Sequence, residues 1–278
     1  MVDRLARVAV RRPTAVGDFP AAGWPPPEPV ALQAQHEAFA ALLGDLGCQV
    51  LVLDPIDGLV DACYVHDPVL ITDAGAVLLQ MAKPVRRPEP QALVADLERA
   101  GVPILGQLVG AAVADGGDMV WLDARTLAVA RGYRTNAEAH AQLKALLEPL
   151  GVSLTRADLP HDRGSDHVLH LMSVVSPVAD DLAVVFAPLA PVPLLEELRT
   201  RGVRWIAVDA EEYATLGTNV LAVAPGVVVV ADGNPRTRRA LEAEGCEVHG
   251  FGGSEIAVKG AGGPTCLTAS LLREPPPG

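Results

Sequence analysis

Phe39-Ala-Ala-Leu-Leu-Gly-Asp-Leu-Gly47, followed at once by Cys48-Gln-Val-Leu-Val52, reads as the end of an amphipathic helix, a glycine and the start of a strand. Glycine just past a helix takes the left-handed conformation that closes the last turn, because it has no Cβ to clash. The same pattern recurs four more times. It appears at Leu93 to Gly101 before Val102-Pro-Ile-Leu, at Leu143 to Gly151 before Val152-Ser-Leu, at Leu194 to Gly202 before Val203-Arg-Trp-Ile, and at Ala240 to Gly245 before Cys246-Glu-Val. These glycines lie 54, 50, 51 and 43 residues apart by their numbering, so the chain carries a repeat of roughly fifty residues.

Between one such strand and the next helix stand two β-rich runs joined by a polar turn. Asp67-Pro-Val-Leu-Ile-Thr with Ala76-Val-Leu-Leu is the first, around Asp73-Ala-Gly. Asp118-Met-Val-Trp-Leu with Thr126-Leu-Ala-Val, Ser173-Val-Val-Ser with Leu182-Ala-Val-Val, and Asn219-Val-Leu-Ala-Val with Gly226-Val-Val-Val-Val follow. The last run, around Thr265-Cys-Leu-Thr and Leu271-Leu-Arg, needs the N-terminal Val8-Ala-Val-Arg-Arg as its partner, which joins the chain ends and closes a ring. The expected architecture is therefore α/β, one domain over residues 1–278, built as five ββαβ units around an axis. A doubly wound parallel sheet is the competing fold; no G-x-G-x-x-G follows a strand, and the units alternate in the wrong order for it.

Of the 278 residues, half are apolar and a fifth charged, enough for a large core and too little polarity for disorder. The net charge of −12 argues against a nucleic-acid surface, which needs a basic patch. No apolar run approaches the ~20 residues of a membrane span, and the N-terminus shows no signal-peptide core, so the expected address is cytoplasmic. Four cysteines lie far apart without a CxxC pair, which indicates neither a zinc site nor a disulfide framework.

Three stretches concentrate chemistry: Asp115-Gly-Gly-Asp118, His170-Leu-Met-Ser173, and Lys259-Gly-Ala-Gly-Gly-Pro-Thr-Cys266-Leu-Thr268. A cysteine in a glycine-rich corner is presented to a cleft, and as a nucleophile it needs a base and a group that orients the base. Asp67, Asp115 with Asp118, His170, Asn219 and Cys266 fall at equivalent places in successive units, where each new hairpin begins.

Those motifs, in that order from about Asp61 to Leu272, resemble the guanidino-group-modifying enzymes of the pentein fold, the five-bladed α/β propeller. The similarity is nearest to dimethylarginine dimethylaminohydrolases, with arginine deiminases and amidinotransferases more distant. Tyr64-Val-His-Asp-Pro68 resembles the family's guanidine-binding strand end, Asp115-Gly-Gly-Asp118 its acidic signature, and Arg131-Gly-Tyr-Arg-Thr-Asn136 the strand presenting a carboxylate-binding arginine. The resemblance implies a hydrolase that needs no metal or cofactor and acts on a small guanidino substrate, most closely an Nω-methylated arginine or analogue yielding citrulline and an amine. Cys266 would attack to give a thiouronium intermediate, His170 would act as acid and base, and Asp115 would orient His170. Substrate contacts are implied for Asp67 at the guanidinium, Asp61 at an α-amine, and Arg87 and Arg134 at an α-carboxylate, with His66 and Asp118 completing the set. His66 stands where the family usually carries a glutamate, which leaves the N-substituent open, and Met172 stands where it carries lysine or, in deiminases, aspartate, which argues against an ordinary arginine deiminase. Amidinotransfer, arginine deiminase or dihydrolase chemistry, and a homodimer stay open. A ribosome-binding initiation factor shares the fold without the catalytic cysteine, and the Cys266, His170, Asp115 set discriminates against that non-enzymatic reading.

Other residues have structural roles. Cys48, Cys63 and Cys246 are expected as small buried hydrophobes, Asp118 as a turn residue, and His161 and His167 fit no zinc spacing. Arg86 and Arg87 both have solvated surface charge as their alternative, and of the two Arg87 is preferred for the site. Gly17-Asp-Phe-Pro-Ala-Ala-Gly-Trp-Pro-Pro-Pro-Glu-Pro29 is too rich in proline and glycine for a helix and is expected as a lid over the central cleft. The tail Glu274-Pro-Pro-Pro-Gly278 is expected to fray.

Overall fold

A computed structural model describes residues 2–275; the proline-rich end 276–278, on which most of the fraying expectation falls, lies outside the described residues. Five three-stranded sheets follow one plan, in which the first strand pairs antiparallel with the second and the second parallel with the third. In chain order the strands are β1 (Arg4–Arg11), β2 (Gln49–Leu53), β3 (Val69–Thr72), β4 (Gly75–Leu78), β5 (Ile104–Gln107), β6 (Met119–Asp123), β7 (Thr126–Arg131) and β8 (Ser153–Asp158). They continue as β9 (Val175–Ala179), β10 (Leu182–Val185), β11 (Arg204–Ala207), β12 (Leu221–Ala224), β13 (Val227–Ala231), β14 (Glu247–Phe251) and β15 (Ala269–Glu274). Four sheets use consecutive strands. The fifth has the order β15-β1-β2, so the C-terminal strand supplies the missing first position of the N-terminal blade, as the ring closure requires.

The helix of each blade bridges the parallel pair, since parallel neighbours cannot be joined by a tight turn. These helices are Pro29–Asp45, Glu89–Arg99, Ala137–Leu147, Val192–Thr200 and Pro235–Ala243. All five end alike: the repeat glycines Gly47, Gly101, Gly151, Gly202 and Gly245 have φ between 69° and 88°. The next residue's N–H then returns to the carbonyl of a leucine in the last turn, as in Cys48 to Leu43 (3.0 Å) and Val203 to Leu198 (2.8 Å). That bond satisfies an otherwise orphaned helix carbonyl and turns the chain straight into the third strand.

The same leucines Leu43, Leu97, Leu147, Leu198 and Leu241 point inward. Five apolar clusters result, each between two neighbouring blades and each filled by one of these helices; Leu93 and Leu97 sit with Ala9, Val69 and Ala76, for example, and Leu194 and Leu198 with Val120 and Val175. Each fully buried leucine contributes about 1.5–3 kcal/mol, so the blades are held to each other mainly by these shared wedges. The first strand of every blade faces the axis. Leu70, Val120, Ser176, Leu221 and Leu271, one from each first strand, line a common cavity of about 360 Å³.

The segment 17–29 departs from the sequence expectation. Residues Phe19–Ala22 form a helical turn, because the Asp18 carboxylate accepts the Ala21 N–H (2.9 Å), Pro20 suits a first turn, and Gly23 closes it at φ 86°. Trp24 is buried at 3 % exposure, with its ring centroid 5.5 Å from that of Tyr64. An aromatic anchor thus ties the segment to the core. No helix among the described residues is long and apolar enough to cross a membrane.

Candidate active site

Each blade begins its first strand just after one polar side chain. Cys266 precedes β15, Asp67 precedes β3, Asp115 precedes β6, His170 precedes β9 and Asn219 precedes β12. All five are buried. Because the first strands surround the axis, these five side chains are delivered to its same end.

Asp67 is the hub. Its Oδ1 accepts the Gly117 N–H at 3.0 Å and lies 4.0 Å from His170 Nδ1, while Oδ2 takes Arg86 Nη1 at 2.5 Å. Burial alone would raise this carboxyl, but Arg86 and His170 outweigh it and hold the pKa down to about 2. Gly117 is required by closeness: a Cβ there would stand 2.8 Å from His170 Cγ.

His170 Nε2 meets Asp115 Oδ2 at 3.2 Å, and the other oxygen of Asp115 accepts the Ala82 N–H at 3.0 Å. A carboxylate acceptor places the proton on Nε2. Burial disfavours the charged ring, yet Asp67, Asp115 and Asp118 together raise its pKa above the ordinary histidine value. Asp118 sits behind the histidine, fully buried, and accepts the Leu171 N–H at 3.1 Å. Its Oδ1 thus supports the backbone that presents His170, while Oδ2 is buried without a hydrogen-bond partner among the described residues. Burial lifts its pKa to about 6.

Cys266 Sγ receives Asn219 Nδ2 at 3.3 Å, and Asn219 Oδ1 accepts the Thr265 N–H at 3.1 Å. The Cys266 carbonyl accepts the His66 N–H at 3.2 Å, which stitches the cysteine corner to the Asp67 loop. Burial and the nearby Asp67 carboxylate raise the thiol to about 12, only partly offset by Asn219. Cys266 is therefore a neutral thiol in the free protein. Alkylation of the Cys266 peptide by iodoacetamide is expected to keep accelerating past about pH 10; a plateau near neutral pH, read by peptide mass spectrometry, would show a thiolate already formed.

The remaining expectations divide. Arg87 is exposed, and Arg86 instead points inward. The correction has a physical cause: Glu89, one turn on, takes Arg86 Nε at 2.9 Å and Nη2 at 2.8 Å, and this fork with Asp67 outweighs the cost of burying the guanidinium. Arg134 reaches Asp115 with Nη1 at 3.5 Å and is 13 % exposed. His66 is part-buried, its Nδ1 3.3 Å from the Thr268 carbonyl, and burial lowers its pKa, so it stands as a neutral ring. Asp61 accepts the Trp24 indole N–H at 2.7 Å and Lys83 Nζ at 2.6 Å. Cys48, Cys63 and Cys246 are packed in apolar clusters with thiols raised by burial. His161 meets the Tyr133 hydroxyl at 2.7 Å. Glu89, Lys83 and Trp24 went unread in the sequence. Glutamate three residues after arginine was the one available signal, since that spacing places the pair on one face of a turn.

A family model described as Arginine deiminase matches residues 194–273. A dimethylarginine dimethylaminohydrolase of Streptomyces coelicolor is 29% identical over 207 residues, covering 74% of this chain and 73% of that one. An arginine deiminase of Listeria welshimeri is 27% identical over 265 residues, covering 80% of this chain; the chain spans 63% of the deiminase's length. Among solved structures, the Pseudomonas aeruginosa dimethylarginine dimethylaminohydrolase, a cysteine-to-serine mutant complexed with citrulline, superposes with TM-score 0.81 at 21% identity over 98% of this chain and all of that one. The N-terminal domain of the cyanobacterial arginine dihydrolase ArgZ, bound to product, gives TM-score 0.83 at 16% identity over 96% and 97%. Five repeated blades with polar residues converging at one end are the pentein fold that these structures share. In sequence the chain is similar to dimethylarginine dimethylaminohydrolases and to arginine deiminases.

Proposed function

We propose that the protein hydrolyses a C–N bond of an arginine-type guanidino compound through a covalent adduct on Cys266. One observation carries the reading: Asp67 joins a cation-binding carboxylate to both His170 and the Cys266 corner in one buried cluster. The substrate guanidinium binds Asp67 through lone pairs left by its present partners. A cation beside Sγ lowers the thiol's pKa, so its arrival releases the thiol proton to solvent and creates the nucleophile where it is needed.

The thiolate then adds to the guanidinium carbon. Imidazolium His170 gives its proton to the departing nitrogen, and the C–N bond breaks to leave a thiouronium cation and a neutral amine. Neutral His170 next takes a proton from water as its oxygen adds to the same carbon. Collapse expels the sulfur, yielding a urea-type product, citrulline in the arginine series. Asp115 keeps the ring oriented through both steps, and Asn219 donates to the sulfur as negative charge comes and goes. The segment 17–29 serves as the lid of this cleft, a role supported by the burial of Trp24 against Tyr64. Four unpaired thiols suit a reducing cytoplasm.

Incubation with a panel of guanidino compounds, assayed for urea-type products and released amine, tests the reaction. Acid quenching during turnover is expected to leave a substrate-derived mass on the Cys266 peptide. Fast turnover with no adduct at any quench time would refute the covalent step.

A further inference from the structure

Around the reactive corner the buried carboxylates are already assigned. Asp115 holds His170 and Arg134, Asp118 holds the Leu171 N–H, and Glu89 holds Arg86 through both its oxygens. That leaves Asp67 and Asp61. Asp67 carries Arg86 on Oδ2, a cation it shares with Glu89, while its Oδ1 takes only the Gly117 N–H and faces His170. Asp61 is not open. Its Oδ1 accepts the Trp24 indole at 2.7 Å, and its Oδ2 is paired with the Lys83 ammonium at 2.6 Å. The same Nζ donates to the Ala22 carbonyl at 2.5 Å, so Lys83 clips the segment 17–29 to Asp61. The Asp61 side chain is 6% exposed and that of Lys83 25%, with the charge of the pair turned inward and little water to screen it.

We propose that Lys83 determines specificity: its ammonium fills the position at Asp61 that a substrate α-ammonium would take, and the site accepts guanidino acids carrying no α-ammonium. The inference rests on the guanidino-hydrolase reading and narrows its substrate class. The Asp61, Asp67 and Glu89 carboxylates face two cations, Lys83 and Arg86, so the cluster has one negative charge left over; an α-amino substrate brings two positive charges, and its ammonium either expels Lys83 or lies beside it, a like-charge contact at short range. A des-amino guanidino acid brings one positive charge for Asp67. Its carboxylate is matched by Arg134, whose single ion pair at 3.5 Å leaves guanidinium donors for an anion.

The test uses matched pairs: Nω-methyl-L-arginine against its des-amino analogue, and L-arginine against its own. The wild-type protein is expected to favour the des-amino member by about tenfold or more in kcat/KM, chiefly through KM, while kcat within a pair stays similar. Lys83→Met is expected to lose that preference by lowering KM for the α-amino member, and Lys83→Arg, which keeps the cation, to retain it. A merely structural lysine would move both members alike. The same ratios are read as dissociation constants on Cys266→Ser, by calorimetry. If no guanidino compound is turned over, the hydrolase reading fails, but the binding ratio still decides this inference. Equal or better use of the α-amino member by the wild-type protein overturns it, whether or not a Lys83 variant folds.

Discussion

Cys266→Ser is expected to lower kcat by about four orders of magnitude or more while leaving the fold intact, because it removes the sulfur on which the proposed covalent adduct forms. The hydroxyl that replaces the thiol is of similar size and still accepts from Asn219 Nδ2, so the corner around Thr265 and Gly263 keeps its bonds. Loss of turnover with an unchanged Tm and undiminished substrate binding is the required combination. Serine cannot substitute, since its alkoxide is far harder to generate than a thiolate even beside a bound cation. Residual turnover within a factor of ten of the parent would dismiss Cys266 as the nucleophile.

His170→Gln is expected to cost about 10²–10⁴-fold in kcat, the usual worth of a positioned acid and base. Glutamine keeps a donor for Asp115 and fills a similar volume, which separates proton transfer from packing. The loss depends on the leaving group: a substrate whose departing group is a thiolate needs no proton, so the first step returns and the Cys266 adduct accumulates instead of turning over. The pH dependence has a defined sign. Asp67, Asp115 and Asp118 raise the His170 pKa against the pull of burial, so the ring is charged below that raised value and loses its proton as pH climbs through it. Rates limited by protonation of the leaving amine therefore fall on the alkaline side, and in the glutamine variant that limb disappears. An unchanged alkaline limb in the variant would assign the titration elsewhere.

The five helix-ending glycines were legible because their signal is local: a left-handed residue, a leucine behind it and a strand ahead are all within ten positions. The placement of Asp67, Asp115, His170, Asn219 and Cys266 was legible for the same reason, since each stands at one phase of the repeat. What failed was decided by contacts across the fold. Arg86 and Arg87 are neighbours in an apolar-poor turn, and only Glu89 and Asp67, brought by the folded chain, select which of them goes in. The turn at Phe19–Ala22 was missed because proline and glycine were counted as breakers, whereas Pro20 and Gly23 occupy the two positions of a short helix that tolerate them. Lys83 is illegible in the sequence, since a lone lysine after Ala82 is indistinguishable from surface charge until the fold sets Asp61 against it.

The clasp between β15 and β1 has a consequence for the site. Cys266 lies three residues ahead of β15, which pairs with β1 from the other end of the sequence. Asp67, Asp115 and His170 each precede a strand of a blade built from consecutive strands, whereas the sulfur is held by the seam itself. A change that loosens the pairing of β15 with β1 is therefore expected to shift Cys266 away from Asp67 and His170 before it disturbs those two.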